Sequence, residues 1–210
     1  MKRAGWILFL VILVVCAFLL SMVEFQLART ERKENVGTSA ATSQNPNAPE
    51  IGDPDRIYLH LENRAGLNSV LGWELRKQLE SAGYTHVVLL NGAPGPDDFP
   101  LLMVGVRDQN TYWTPVSAGG TLRILAKYAN FTSSVSLDSD ASTTFDGSAS
   151  QGRMPMRISI DSEISTSSRG LISLPKHRRI LVSETASTIV EMIQKALEEQ
   201  KKKLAETSVQ

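Results

Sequence analysis

The stretch "RMPMRISIDSEI", Arg153 to Ile164, places Met154, Met156, Ile158, Ile160 and Ile164 on one side and Arg157, Ser159, Asp161 and Glu163 on the other. A period of two held over that length requires an extended strand with one packed face and one wet face, the pattern of an antiparallel sheet. "TLRILAKYANFTSSVSL" repeats the pattern, with Leu122, Ile124, Ala126 and Tyr128 alternating with Arg123, Leu125 and Lys127, and predicts a second long strand. Shorter strands are expected at "RIYLHLE", "THVVLL" and "LLMVGV", separated by the Gly-, Pro- and Asp-rich loop "NGAPGPDDFP". "TYWTPVSAGG" reads as the turn leading into the long strand, and "DSDASTTFDGSASQG" as a polar turn region.

Two segments change period. In "GLNSVLGWELRKQLESAGY", Leu67, Leu71, Leu75, Leu79 and Ala82 form one helical stripe, with Asn68 or Ser69 as the cap and Gly83 as the stop. In "SETASTIVEMIQKALEEQKKKLAE" the stripe is Ile189, Ile193, Leu197 and Leu204, and the Glu-before-Lys pairs Glu191 to Lys195, Glu198 to Lys202 and Glu199 to Lys203 mark a solvated face. The predicted fold is α+β: a mixed, mostly antiparallel sheet of about four or five strands with two helices on one face.

The first fifty residues differ from the rest. From about Ala4 to Val23 the chain carries no charge, and roughly 20 helical residues at 1.5 Å each match the ~30 Å hydrocarbon core of a bilayer. A secretory signal has a shorter apolar stretch ending at a small-x-small site; here Phe18, Leu19, Leu20, Met22 and Val23 continue past Val15-Cys16-Ala17. A lipidated cysteine needs a small residue before it, and Val15 precedes Cys16. The expectation is therefore a basic leader over 1–4, a transmembrane signal-anchor helix over 5–24 and a single-pass protein of the cell membrane with its globular part outside the cytoplasm. Residues 25–55, rich in Asn, Ser, Thr, Gly and Pro, read as a flexible tether, and 56–205 as the domain.

Lys plus Arg and Asp plus Glu both number 22, so the net charge is zero and nucleic acid is not an expected partner. With Cys16 as the sole cysteine, a disulfide within the chain and a thiolate metal cluster are excluded. His60, His86 and His177 show no metal-ligand spacing. The loop from Asp138 begins like a calcium site but has Thr143 where the sixth position needs Gly and Ala149 where the twelfth needs Glu. "GAPGPDD" lacks the Gly-Lys-Ser/Thr ending of a phosphate loop, and "DGSASQG" does not set a serine between glycines. No catalytic residue, metal or cofactor is expected. "NFT" at Asn130 fits a glycosylation acceptor but falls in a predicted strand.

The aromatic residues suggest binding. At 100° per residue Trp73 lies opposite Leu71, Leu75 and Leu79, which makes it a candidate interface anchor. Adjacent Tyr112 and Trp113 must point to opposite sides, so one of them joins it as a candidate. Within "KHRR", Lys176, Arg178 and Arg179 are candidates for contact with lipid headgroups or glycolipid phosphates.

"IYLHLENRAG", "LGWELRKQLESAGYTHVVLL" and "DDFPLLMVGV" together resemble the opening half of the LPS-assembly lipoprotein family, and are similar to penicillin-binding-protein activator lipoproteins. In those families a strand ends in Asn before a turn, a helix ends near Gly-Tyr or Gly-Phe, and an apolar strand follows an acidic residue. Glu62-Asn63-Arg64 and Ala82-Gly83-Tyr84 carry the likeness here, whereas the lipidated cysteine of those families has no counterpart that fits. The resemblance implies a non-enzymatic accessory or scaffold subunit of a cell-envelope assembly, with other envelope proteins as partners. A glycolipid- or lipid-binding domain and a hydrolase with dispersed active-site residues are the alternatives.

Overall fold

The computed structural model describes residues 6, 7, 9–12, 14, 15, 26–42, 53, 55–62, 67–95, 97–114, 116–131 and 156–207. The described residues between 6 and 15 are helical (α1) and are followed by strands β1 (Gln26–Thr42) and β2 (Arg56–Leu61), helix α2 (Leu67–Ser81) and strands β3 (His86–Leu89) and β4 (Leu101–Thr114). Strands β5 (Ser117–Ala129) and β6 (Met156–Ile172) and helix α3 (Leu174–Thr207) complete the chain. The strands form one mixed sheet of six in the order β1-β6-β5-β4-β2-β3. β2 runs parallel to both β3 and β4, and the remaining neighbours are antiparallel.

Alternation explains the core. Ile158, Ile160 and Ile164 of β6 and Leu122, Ile124 and Ala126 of β5 are all fully buried, while Arg123 and Asp161 on the opposite face are half exposed and paired at 2.8 Å. Leu71, Leu75 and Leu79 of α2 and Leu181, Ile189 and Ile193 of α3 pack into the same core as Ile57, Leu59 and Leu102, so both helices cover one face of the sheet. Each leucine buried this way is worth about 1.5–3 kcal/mol. The other face is polar along most of its length and closes only at one end, where Leu101 and Met103 pack with Tyr58, Leu90 and Leu125.

Helix ends follow local chemistry. After α2, Gly83 adopts φ 105°, the Tyr84 N–H donates to the Leu79 carbonyl at 3.1 Å and the Gly83 N–H to the Glu80 carbonyl at 3.2 Å. This is the left-handed stop that glycine makes cheaply. At the other end α2 begins at Leu67, so Asn68 and Ser69 lie within its first turn instead of capping it. α3 starts well before the expected Ser183: Ser173 is its cap, accepting from the Lys176 N–H at 3.4 Å, and Pro175 occupies the first turn, where its missing N–H costs nothing.

The N-terminal expectations require correction. Among the described residues no helix is long and apolar enough to cross a membrane. The transmembrane helix, the single-pass topology and the cell-membrane placement are therefore unsupported. Cys16 lies outside the described residues. The stretch read as tether contains β1, 17 residues paired along their whole length with β6. With β1 included the sheet has six strands where four or five were expected. Composition pointed to disorder because this segment buries little; the ladder offered by a β6 of equal length supplies the order that side chains do not.

Candidate functional site

The described surface gathers four side chains where α2 meets the start of α3. Trp73 stands outward from α2 and is 54% exposed. One turn on, the Lys77 Nζ lies 5.7 Å from the indole centroid, and the Arg179 guanidinium of α3 lies 5.5 Å from it. Both distances fall within cation–π range. Arg179 also directs its Nε to Glu74 Oε1 at 3.4 Å. Glu74 is only 2% exposed, and its second oxygen, Oε2, is buried without a hydrogen-bond partner. A buried carboxylate with one free oxygen is costly unless a cation stays beside it. Glu74 thus holds Arg179, and Arg179 holds the indole.

This cluster unites two candidates that the sequence offered separately, Trp73 and Arg179. Helical spacing separates the rest of the basic trio: Arg178 is exposed, Lys176 is half-buried beside the Ser173 cap, and Arg179 turns toward α2. Lys176, Arg178 and Arg179 therefore do not form one continuous cationic patch. His177, between them, points inward and is fully buried. Neither of its ring nitrogens has a hydrogen-bond partner, and burial pushes its pKa below the ordinary value, with the Gly119 backbone opposing the shift from outside bonding geometry.

Tyr112 and Trp113 lie at the far end of the β4–β5 hairpin. A register shift between Val106 and Asp108 inverts the alternation of β4, so that Tyr112 pairs with Gly119 and Trp113 with Ala118. Tyr112 comes to the open face, 58% exposed, its ring lying where a Cβ on Gly119 would sit. Trp113 turns to the helix side, half-buried, and its indole N–H donates to the Ile172 carbonyl at 2.7 Å. Of this pair Tyr112 offers a surface, whereas Trp113 ties β4 to the end of β6.

The remaining sequence candidates are dispersed. His60 is in β2 with Nδ1 buried and unpartnered, and His86 is exposed in β3. Among the described residues no group of three or more His, Cys, Asp or Glu is placed to hold a metal ion. Asn130 is buried, its carboxamide oxygen accepting from the Met156 N–H at 2.7 Å, which makes it a backbone clamp for the start of β6. The turn region from Asp138 to Gly152 lies outside the described residues.

Lys77 and Glu74 were missed at the sequence level. Lys77 carried a signal, since it follows Trp73 by one helical turn. Glu74 carried none, because its burial depends on where α3 begins.

No family model matches the chain, and no curated protein matches it significantly. Among solved structures it is similar to the PelC dodecamer of Paraburkholderia phytofirmans, with a TM-score of 0.29, 10% identity, and coverage of 72% of this chain and 96% of PelC. A leucine-to-methionine variant of the same dodecamer gives a TM-score of 0.29 and 11% identity, covering 72% of this chain and 95% of PelC. A likeness this remote transfers neither fold nor function.

Proposed function

We propose that the chain is a non-enzymatic docking module, an accessory or scaffold subunit of a cell-envelope assembly, which engages a protein partner through Trp73 framed by Lys77 and Arg179. The observation that carries this reading is the exposed indole bracketed by two cations. An aromatic ring presented in a fixed position buries a large area at small entropic cost, and tryptophan and arginine dominate the energetics of protein interfaces. Recognition suits the cluster better than turnover does, because its one carboxylate lies beneath Arg179 and cannot meet a substrate. The frame favours a partner segment with an acidic side chain near an apolar one, so that the apolar group covers the ring and the acid meets Lys77.

Site-specific photocrosslinking tests this in cells that make the full chain. A crosslinker at exposed Val70, one turn before Trp73 on α2, is expected to yield one protein adduct of defined mass. Trp73→Ala should then weaken the isolated complex by roughly 30-fold, the loss of a ~2 kcal/mol anchor. An adduct that Trp73→Ala leaves unchanged overturns the assignment. So does an adduct only with glycolipid, or a hydrolytic activity lost on single substitution elsewhere in the domain.

A further inference from the structure

The two edges of the sheet are unlike. Among the described residues β3 ends one side with four residues, while β1 ends the other with 17 and has β6 on one flank only. At ~3.4 Å per residue that free flank is close to 58 Å long, a row of backbone donors and acceptors ready to pair with another strand. β1 is also poorly covered on its faces: from Gln26 to Ala40 only Ala28, Thr30 and Val36 are partly covered, and Leu27 is 78% exposed. The strand rests on its ladder with β6 and on a clamp in which Arg32 pairs with Glu34 and with Glu184 of α3 and donates to the Thr188 hydroxyl at 2.6 Å.

Natural edges are protected by charged side chains, lysine above all, and by charge that points inward. "RTERKE", Arg29 to Glu34, intersperses both signs, so that antiparallel registers exist which set opposite charges against each other. In antiparallel pairing, directly opposite residues share a face, so each register makes definite pairs. A two-fold axis through Arg32 sets Glu31 opposite Lys33 of a second copy, twice, and joins residues 26–38. Each Arg32 then faces its counterpart with its charge already answered by Glu34 and Glu184. An axis through Glu31 would oppose Glu31 to itself and Arg29 to Lys33, and an axis through Lys33, although it sets Arg32 opposite Glu34, would oppose two Lys33 side chains that no ion pair among the described residues neutralises, unlike those of Arg32. An axis through Thr30 matches Arg29 with Glu31 but joins only residues 26–34.

We propose that β1 pairs antiparallel with β1 of a second copy of this chain about a two-fold at Arg32, continuing the sheet across the dimer. This is a closed, isologous contact, in which the same patch serves both partners. It leaves the Trp73 cluster, on α2, uninvolved.

Light scattering of the full chain in detergent, which keeps the apolar N-terminal residues dispersed, should give a protein mass of twice 23.0 kDa. Lys33→Glu places like charges opposite each other twice and should shift the dimer to monomer, a weakening of roughly tenfold or more. Adding Glu31→Lys to Lys33→Glu reverses both members of each pair and should restore the dimer. A monomeric wild type, a dimer indifferent to Lys33→Glu, or a double variant that stays monomeric overturns the proposal. Should Lys33→Glu fail to fold by circular dichroism, amide exchange of the wild type decides. Protection over residues 26–38 must rise with protein concentration, and protection independent of concentration overturns the pairing.

Discussion

Helices α2 and α3 lie on the same face of one sheet but bury different chemistry. Between α2 and the sheet the contact is aliphatic, Leu71, Leu75 and Leu79 against Ile57, Leu59 and Leu61, and the buried Glu74 of α2 is turned instead to Arg179 of α3. Beneath α3, Leu181, Ile189 and Ile193 share the space with Ser162, Thr166, Thr185, Thr188 and His177, all buried. Thr185 satisfies itself by donating to the Leu181 carbonyl at 2.8 Å, and Thr188 takes part in the Arg32 clamp. The hydroxyls of Ser162 and Thr166 have no partner. One helix is thus fixed by area removed from water, which is indifferent to direction. The other is fixed in part by polar groups that are costly when unpaired, and so has lower stability per residue buried.

The comparison breaks most sharply if α2 loses its central leucine. Leu75 is fully buried, and Leu75→Ala should cost ~2–5 kcal/mol, the transfer term plus the cavity left behind. Urea unfolding followed by far-UV circular dichroism measures it. A loss below about 1 kcal/mol would mean that the aliphatic seam repacks freely, contrary to a close-packed core.

The second expected effect is the pH response of α3. His177 has a folded-state pKa below its ordinary 6.5 because burial disfavours the imidazolium. Below pH 6.5 the unfolded chain takes up a proton that the folded chain refuses, so stability falls as the pH drops from 6.5 toward the folded-state pKa, by at most about 1.4 kcal/mol per pH unit. Above pH 6.5 this contribution is constant. Thermal melts across that window should show the decline in the wild type and lose most of it in His177→Phe, which keeps a planar ring in the space. An unchanged slope in the variant would assign the acid sensitivity to other groups; Asp161, whose pKa is held down by its bond to Arg123, loses its contribution only at more acidic pH, below the ordinary carboxylate value.

How much of this was legible depended on whether the signal was local. The alternation of β6, the leucine stripe of α2 and the Gly83 stop were each written within a few residues of themselves, and the structure places them accordingly. β1 was not legible, because its order comes from a strand more than a hundred residues later. The start of α3 was obscured by "LPKHRR", where a proline and a run of charge look like a turn although proline suits a first helical turn. Gly119 and Gly120 suggested a turn and are in fact strand, where Tyr112 lies on Gly119 and a Cβ on Gly120 would meet Leu181 and Thr111 at 3.0 Å. At the candidate site, the outward position of Trp73 could be read from the helical wheel. Its bond to Arg179 could not, since it requires the crossing of two helices far apart in the chain.

The smallest expected effect tests the polar half of the comparison most directly. Thr166 Oγ1 is buried and unpartnered, so in the folded chain its hydroxyl carries a desolvation cost and gains no hydrogen bond. Thr166→Val keeps the shape and removes the oxygen, and β-branching suits the strand equally well. The variant should be as stable as the wild type or more so, by up to about 1 kcal/mol, in the same urea measurement. Destabilisation by more than that amount would show that the hydroxyl is satisfied within the seam, most simply by a water between β6 and α3, and that the seam is a bonded polar layer instead of a region of imperfect burial.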